Sequence, residues 1–153
     1  MTLPTIRPAR SDEYDDIAGT WMNSWASTRL EPAGDLVLAR LRARIPREVE
    51  NGWSLFVAED GGIIAAMLAL HLPQRYLDQL FVAPEYQGKG LGRKLLEFTR
   101  QLLPDEILLR CVRENERTWR WYEREGFVCE QEQVEPMNGF VMKCYRWKKG
   151  ISQ

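Results

Sequence analysis

The stretch "QLFVAPEYQGKGLGRKLL", residues 79–96, decides the fold. It begins as an apolar run typical of a strand, which Pro84 closes. It ends in the first turns of a segment that continues to Phe98 and in which Leu91, Leu95 and Phe98 share one face of a helix. Glycines and positive charge at the start of a helix indicate an anion site, because the first backbone N–H groups have no acceptor within the helix. Three glycines carry no side chain that would keep a phosphate from these groups: Gly88, Gly90 and Gly92.

Other glycine motifs fit this loop poorly. The phosphate-binding loop needs GxxxxGK followed by Ser or Thr, and the chain contains no such run. The dinucleotide fingerprint GxGxxG needs a third glycine where this chain has Arg93. Taken alone, the loop remains equally consistent with a tight strand-to-helix turn whose cations lie on a solvated face.

Composition narrows the class of protein. With 153 residues, 44% hydrophobic and 28% charged, the chain has the length and make-up of one globular domain. A net charge of −1 argues against nucleic acid or a membrane surface as partner. The start of the chain turns acidic where a secretory signal needs an apolar stretch, so we expect no export. Three cysteines and one histidine favour neither a disulfide framework nor a metal site, and we expect a cytoplasmic protein.

Periodicity and turn residues predict the order β-α-α-β-β-β-α-β-α-β-β. The hairpin turn falls at residues 60–62, where Asp-Gly-Gly allows positive φ. Pro46 is expected to stop the second helix, and the last helix is expected from Asn115 to about Arg124, ended by Gly126. Hairpins combined with βαβ crossovers predict an α/β (α+β) fold in which one mixed sheet has helices on both faces.

Residues 79–96 resemble motif A of the GNAT superfamily, the Gcn5-related N-acetyltransferases, in which a Gln/Arg-x-x-Gly-x-Gly/Ala loop binds the pyrophosphate of acetyl-CoA. Residues 115–127, "NERTWRWYEREGF", resemble the later motif of that family, and residues 5–21 resemble its usual opening. The resemblance implies a single N-acetyltransferase domain over residues 1–153, with a mostly antiparallel sheet of about seven strands flanked by about four helices. One departure is Ala65-Ala66, where the family usually has a glycine.

The resemblance also implies the binding site for acetyl-CoA, the expected co-substrate. The backbone of residues 80–82, near a bulge, would bond the pantetheine arm, and the N–H groups of residues 87–92 would hold the pyrophosphate. Asn115 would bond the pantetheine, or else serve only as a helix cap. The implied coenzyme-binding residues are Leu80, Phe81, Val82, Gln87, Gly88, Lys89, Gly90, Leu91, Gly92, Arg93 and Asn115, with Lys94 as a further cation.

The implied chemistry is direct attack of an amine on the thioester. Tyr122 occupies the position of the acid that protonates the departing thiolate, and the alternative is a tyrosine of the core. An alkyl amine has a pKa of roughly 10.4, so the site must desolvate it or supply a base. Asp78 is the named base candidate because strand alternation puts it on one face with Leu80 and Val82, although an ion-paired residue at a strand end is the alternative. His71 and Glu59 are weaker candidates.

The sequence therefore predicts an acetyl-CoA-dependent N-acetyltransferase that acts on a primary amine. The alternatives are a non-catalytic sensor of acyl-CoA with the same fold and a generic nucleotide-binding module. Expected partners are the coenzyme A thioester and an amine acceptor, without nucleic acid, membrane or metal, and a homodimer is possible. Trp21 and Trp25 could line the acceptor pocket. An acidic acceptor cleft would suggest a polycationic substrate, but the sequence does not identify the acceptor.

Overall fold

A computed structural model describes residues 2–26, 35–137 and 139–150 of the chain. The described residues form one seven-stranded sheet with four α-helices, in the order that the sequence predicts. The strands are β1 (Thr5–Pro8), β2 (Ser54–Asp60), β3 (Ile63–His71), β4 (Tyr76–Val82), β5 (Glu106–Val112), β6 (Val128–Val134) and β7 (Val141–Lys148). The helices are α1 (Tyr14–Ala26), α2 (Asp35–Glu50), α3 (Leu91–Leu102) and α4 (Glu116–Arg124).

The sheet is mixed and mostly antiparallel, as expected. Its strand order is β1-β2-β3-β4-β5-β7-β6, and the β4–β5 pair is parallel while the other pairs are antiparallel. β4 and β5 are paired only at Tyr76 and Leu108, whereas β4 stays paired with β3 as far as Val82. The two parallel strands therefore separate beyond their first residues and leave an opening in the middle of the sheet.

Each face of the sheet buries its own core. On one face Ile17 of α1 and Ile45 of α2 pack with Met67, and all three are fully buried. On the other face Leu95 of α3 packs with Leu68 in a second cluster. Full burial of one such aliphatic side chain stabilises a fold by about 1.5–3 kcal/mol. The expectation of helices on both faces is confirmed.

Glycines end two elements where the sequence predicts it. Gly61 and Gly62 form the β2–β3 turn at φ 56° and 91°, and Gly126 follows α4 at φ 98°. These are left-handed conformations that glycine adopts without a Cβ penalty. Among the described helices, none is long and apolar enough to span a membrane.

The prediction that Pro46 stops the second helix is wrong, because α2 continues to Glu50. A proline inside a helix removes one backbone hydrogen bond. Packing on both sides of it outweighs this loss: Ile45 is fully buried, and Val49, one turn further on, packs against the same core. Residues 27–34, which precede α2 in the chain, lie outside the part that the structure describes.

A bulge in β4 overturns the expectation that Asp78 shares a face with Leu80 and Val82. The register pairs Leu77 with Leu70 and Gln79 with Ala69, so Asp78 has no partner on β3. The extra residue breaks the period of two. Leu77 and Leu80 consequently both belong to the core under α3 and α4, whereas Asp78 bonds Trp53 of the opposite core.

Candidate active site

A cleft of about 1660 Å³ occupies the opening between β4 and β5. The glycine loop and α4 line it on one face of the sheet, and α1 and α2 line it on the other. The β6–β7 connection also contributes to the lining. The structure brings most predicted site residues to this cleft: Asp78, Leu80, Phe81, Val82, Gln87, Gly88, Gly90, Gly92, Arg93, Asn115 and Tyr122. Lys89 and Leu91 are not among the lining residues, and the Leu91 side chain is buried in the core, so only its backbone N–H is available.

The glycine loop presents unpaired N–H groups at the start of α3. Gly88 and Gly90 have φ of 75° and 88°, and Gly90 is the N-terminal capping residue. The first helical hydrogen bond runs from the N–H of Lys94 to the carbonyl of Gly90, at 3.1 Å. The N–H groups of the three residues between them therefore lack an acceptor within the helix. With the helix dipole, they form a site for an anion.

The three cationic side chains predicted near the loop make different contacts. Arg93 lines the cleft, where its Nη2 pairs with Oε2 of Glu125 at 2.8 Å. Lys94 donates from Nζ to the carbonyl of Pro4 at 2.7 Å and is not among the lining residues. The Nζ of Lys89 lies 5.9 Å from the ring centroid of Tyr86.

Two further arginines that the sequence reasoning missed line the coenzyme end of the cleft. Arg117 and Arg124 lie on α4 with Trp121 between them, at spacings of four and three residues. A Cβ at Gly92 would lie 3.4 Å from Trp121, so this face of α4 packs directly on the start of α3. The i, i+4, i+7 spacing of Arg117, Trp121 and Arg124 in the sequence is the signal that could have identified the two arginines.

The free edge of β4 exposes backbone groups to the cleft. The N–H of Ala83 bonds the carbonyl of Ala65 at 2.8 Å, and antiparallel residues alternate between bonded and non-bonded pairs. Phe81, paired with Met67, therefore turns its backbone groups toward β3, and Leu80 and Val82 turn theirs toward the cleft. Of the three residues whose backbone was predicted to bond the pantetheine arm, only Leu80 and Val82 therefore have backbone groups that face the cleft.

Two amide side chains border this edge. Gln87 donates from Nε2 to the carbonyl of Val82 at 3.0 Å and so ties the glycine loop to the end of β4. Asn115 is the residue before α4, but its side chain makes no capping hydrogen bond. The capping alternative therefore does not account for Asn115, whose side chain lines the cleft.

Tyr122 combines a buried ring with access to the cleft. Its ring packs between Trp121 and Phe127, with centroids 5.0 and 5.4 Å away, and the residue is 5% exposed. Its hydroxyl has no hydrogen-bond partner among the described residues, whereas that of Tyr145 donates to Glu123. Burial raises the pKa of the Tyr122 hydroxyl, so this group stays protonated at neutral pH and can act as a donor.

Asp78 is the base candidate that lines the cleft. Its Oδ2 accepts a 2.7 Å hydrogen bond from Nε1 of Trp53 and lies 3.6 Å from Nε2 of His71. His71 itself lines a separate pocket beside Gly52. Glu59, the other weaker candidate, is half-buried, accepts from Arg7 at 2.8 Å and is not among the lining residues.

The far end of the cleft has an aromatic wall. Trp21 and Trp25 both line it, as expected, and their rings lie 6.2 and 6.4 Å from that of Phe81. Cys111 also lines the cleft, but burial raises the pKa of its thiol to about 12, which argues against a nucleophile. No group of three metal-ligating side chains occurs within residues 2–26, 35–137 and 139–150.

Comparison with known proteins agrees with this architecture. The acetyltransferase (GNAT) family profile matches residues 14–127. A probable N-acetyltransferase of Mycobacterium tuberculosis is 25% identical over 136 residues, covering 80% of this chain and 78% of that protein. The peptidyl-lysine N-acetyltransferase YjaB of Escherichia coli is 27% identical over 128 residues, covering 80% of this chain and 81% of that protein.

The fold also matches solved structures. The PaiA N-acetyltransferase of Thermoplasma acidophilum, in complex with coenzyme A, superposes with a TM-score of 0.73 at 19% identity, covering 97% of this chain and 99% of that one. At this identity the likeness concerns the fold alone. The match of the family profile over most of the chain carries the assignment: this protein belongs to the acetyltransferase (GNAT) family and is an acyltransferase.

Proposed function

We propose that this protein transfers the acetyl group of acetyl-CoA to a primary amine by direct attack of the amine on the thioester. One observation carries the proposal: a single cleft contains the unpaired N–H groups after Gly88, the free edge of β4 and the unpaired hydroxyl of Tyr122. An anion site, a pairing edge and a proton donor are the features that a coenzyme A thioester and its leaving group require.

The donor would lie along the free edge of β4. The pyrophosphate would accept from the N–H groups of residues 88–93, with Arg93 nearby. The pantetheine amides would pair with Leu80 and Val82 as an added strand, and Asn115 would bond the same arm. In this pose the thioester would lie near the end of β4, and Tyr122 also lines the cleft.

A primary ammonium must lose two protons to become an amide nitrogen, and the thiolate must gain one. Asp78 takes the first proton from the ammonium, directly or through a water molecule, and later releases it to solvent. The neutral amine attacks the carbonyl carbon, and the second proton leaves the nitrogen of the tetrahedral intermediate to water. The N–H of Val82 stabilises the oxyanion of the tetrahedral intermediate. Collapse breaks the C–S bond, Tyr122 donates its proton to the coenzyme A thiolate, and the amide is released. Tyr122 then regains a proton from solvent.

An acetyl-CoA turnover screen over a broad amine library, with thiol release as the readout, tests the reaction. We expect coenzyme A release that depends on both the amine and the enzyme. Binding of acetyl-CoA without turnover on any amine would favour the sensor alternative. Calorimetric titration with CoA, NAD and ATP tests the donor, and binding of NAD or ATP but not CoA would contradict the proposal.

The proposal also covers the cellular compartment, the domain organisation, the acceptor class and the oligomeric state. We propose a cytoplasmic enzyme that consists of one domain over residues 1–153, and the three unpaired cysteines, Cys111, Cys129 and Cys144, are consistent with a reducing compartment. The name of the relative from Escherichia coli makes protein lysines one acceptor class for the screen. A homodimer stays a prediction that light scattering tests.

A further inference from the structure

We propose that the acceptor amine carries a carboxylate or phosphate group, which arginines of α2 bind; this inference rests on the proposed acetyl transfer and names its substrate class. Three arginines of α2 line the cleft: Arg40, Arg44 and Arg47. They lie on the α1/α2 side of the opening, away from the glycine loop, where the proposed site holds its acceptor rather than its coenzyme.

The three arginines form a continuous row along α2. Spacings of four and three residues put Arg40, Arg44 and Arg47 on one face of the helix, over about 10 Å of its axis. Arg40 and Arg47 are exposed and have no ion-pair partner among the described residues. Guanidinium groups with this freedom can bind a carboxylate or phosphate through paired N–H donors.

Arg44, the middle arginine of the row, packs against two tryptophans near Asp78. Its Nε pairs with Glu48 at 2.9 Å, and its guanidinium carbon lies 5.3 and 5.8 Å from the ring centroids of Trp21 and Trp53. Trp53 in turn donates to Asp78. Arg44 and Asp78, the proposed base, therefore both contact the indole of Trp53.

The balance of charge at this end of the cleft favours an anionic group. Its lining carboxylates are Asp78 and Glu135, and Glu135 lies 3.5 Å from Nη1 of Arg110, which also lines the cleft. The remaining acids of the lining, Glu114, Glu116 and Glu125, lie on or beside α4 at the coenzyme end. Glu48 pairs with Arg44, whereas Arg40 and Arg47 have no ion-pair partner within residues 2–26, 35–137 and 139–150. We therefore expect a polycationic acceptor to be repelled and an anionic group to be attracted.

Part of the lining of the cleft is apolar. It includes Trp21, Trp25, Phe81, Met137, Phe140 and Met142. Aromatic and thioether side chains of this kind can pack against an apolar part of an acceptor. This lining fits an amine that carries an anionic group and an apolar side chain, as in a zwitterionic amino acid.

Matched amines test the inference. The panel contains L-amino acids, their amides and their decarboxylated amines, with phosphoethanolamine beside ethanolamine and spermidine as the polycation. We expect the best carboxylated or phosphorylated acceptor to exceed its uncharged partner at least about tenfold in kcat/KM, as for loss of one charged hydrogen bond. Comparison of the amino acids with their uncharged partners, and of phosphoethanolamine with ethanolamine, shows whether the site binds a carboxylate or a phosphate.

Variants of the α2 arginines test whether the preference for anionic acceptors depends on this helix. Replacing both Arg40 and Arg47 by Gln should lower the preference about tenfold through KM while leaving uncharged amines unchanged. Arg42→Gln is the matched control, because Arg42 belongs to the same helix but pairs with Asp15 outside the cleft. A preference for spermidine or for uncharged amines, or a preference that survives the double variant, would overturn the inference while the acetyl transfer stands.

Binding gives a readout that does not need turnover. If no amine is acetylated, the proposed function fails, and calorimetric titration of the CoA-bound protein with the same panel still decides the inference. Binding of an anionic member that weakens about tenfold in the Arg40→Gln/Arg47→Gln variant supports an anion site at α2. Equal binding by the two proteins, or no preference for anionic members, overturns it.

Discussion

The indole Nε1 of Trp53 donates a 2.7 Å hydrogen bond to Oδ2 of Asp78 at the bulge of β4. The contact with His71 is made by the same oxygen, at 3.6 Å. Oδ1 of Asp78 therefore has no hydrogen-bond partner among the described residues and is available to an ammonium group in the cleft. Trp53, which is 4% exposed, holds the carboxylate in place.

Replacing Asp78 by Asn should lower kcat about a hundredfold, since the amide can still accept from Trp53 but cannot take a proton. The affinity for CoA should not change. Steady-state kinetics from pH 5 to 9, with calorimetry for CoA, measure both quantities. Asp105→Asn, at an exposed position before β5, is the control. An Asp78→Asn variant that keeps the full rate would show that Asp78 is not the base.

Replacing Tyr122 by Phe should reduce kcat at least about tenfold while the Kd of CoA stays within twofold, because the ring packing is kept and only the proton donor is lost. Stopped-flow measurement of thiol release and calorimetry separate the two effects. Tyr14→Phe on α1, outside the cleft, should leave both constants unchanged. Unchanged turnover of Tyr122→Phe would rule out its role as the acid.

Replacing Gly90 by Ala should weaken CoA binding about tenfold or more, because the backbone at φ 88° would shift and misplace the N–H groups of the loop. A left-handed non-glycine residue costs about 1–2 kcal/mol. Gly61→Ala, in the remote hairpin turn at φ 56°, is the matched control. Calorimetry with CoA and thermal unfolding should show loss of stability in both variants and loss of affinity only at Gly90. Equal affinities would contradict the assignment of the anion site.

The ion pairs of Glu13 should make stability fall in acid. Arg7 donates to Oε1 of Glu13 at 3.0 Å, the N–H of Arg10 donates to it at 2.8 Å, and the side-chain bond with Arg7 is the main cause that lowers the pKa of Glu13 from 4.5 to about 2. A carboxyl whose pKa is lower in the folded state stabilises the fold above its unfolded pKa. This stabilisation is lost as the pH falls from about 4.5 toward 2.

Thermal unfolding between pH 6 and 2.5 measures this contribution. Glu13→Gln should lower Tm at pH 6 and flatten its decline in acid, without abolishing the decline, because the pKa of Glu59 and that of Glu106 are also lowered by arginines. Asp12→Asn, whose side chain is exposed, is the control. A Glu13→Gln curve parallel to that of the parent protein would show that this group does not contribute.

Much of the fold could be predicted because its signals are local. Turn glycines, prolines and periodic apolar residues set the order of the elements, and Gly61, Gly62 and Gly126 adopt the expected left-handed conformations. Pro46 shows the limit of such signals. Its local preference ends a helix, but Ile45 and Val49 on either side are bound to a core that other elements build.

For the site, the sequence by itself determined the glycine loop at the start of α3, the position of Asn115 before α4 and a tyrosine at residue 122, since each depends on neighbours within a few residues. Only the tertiary structure decided which side of the sheet receives Asp78, because one unpaired residue in β4 reverses its alternation. It also decided that the arginines of α2 line the cleft. That arrangement depends on how β4 and β5 separate and how α2 packs beside them, and neither is encoded in the local pattern of the chain.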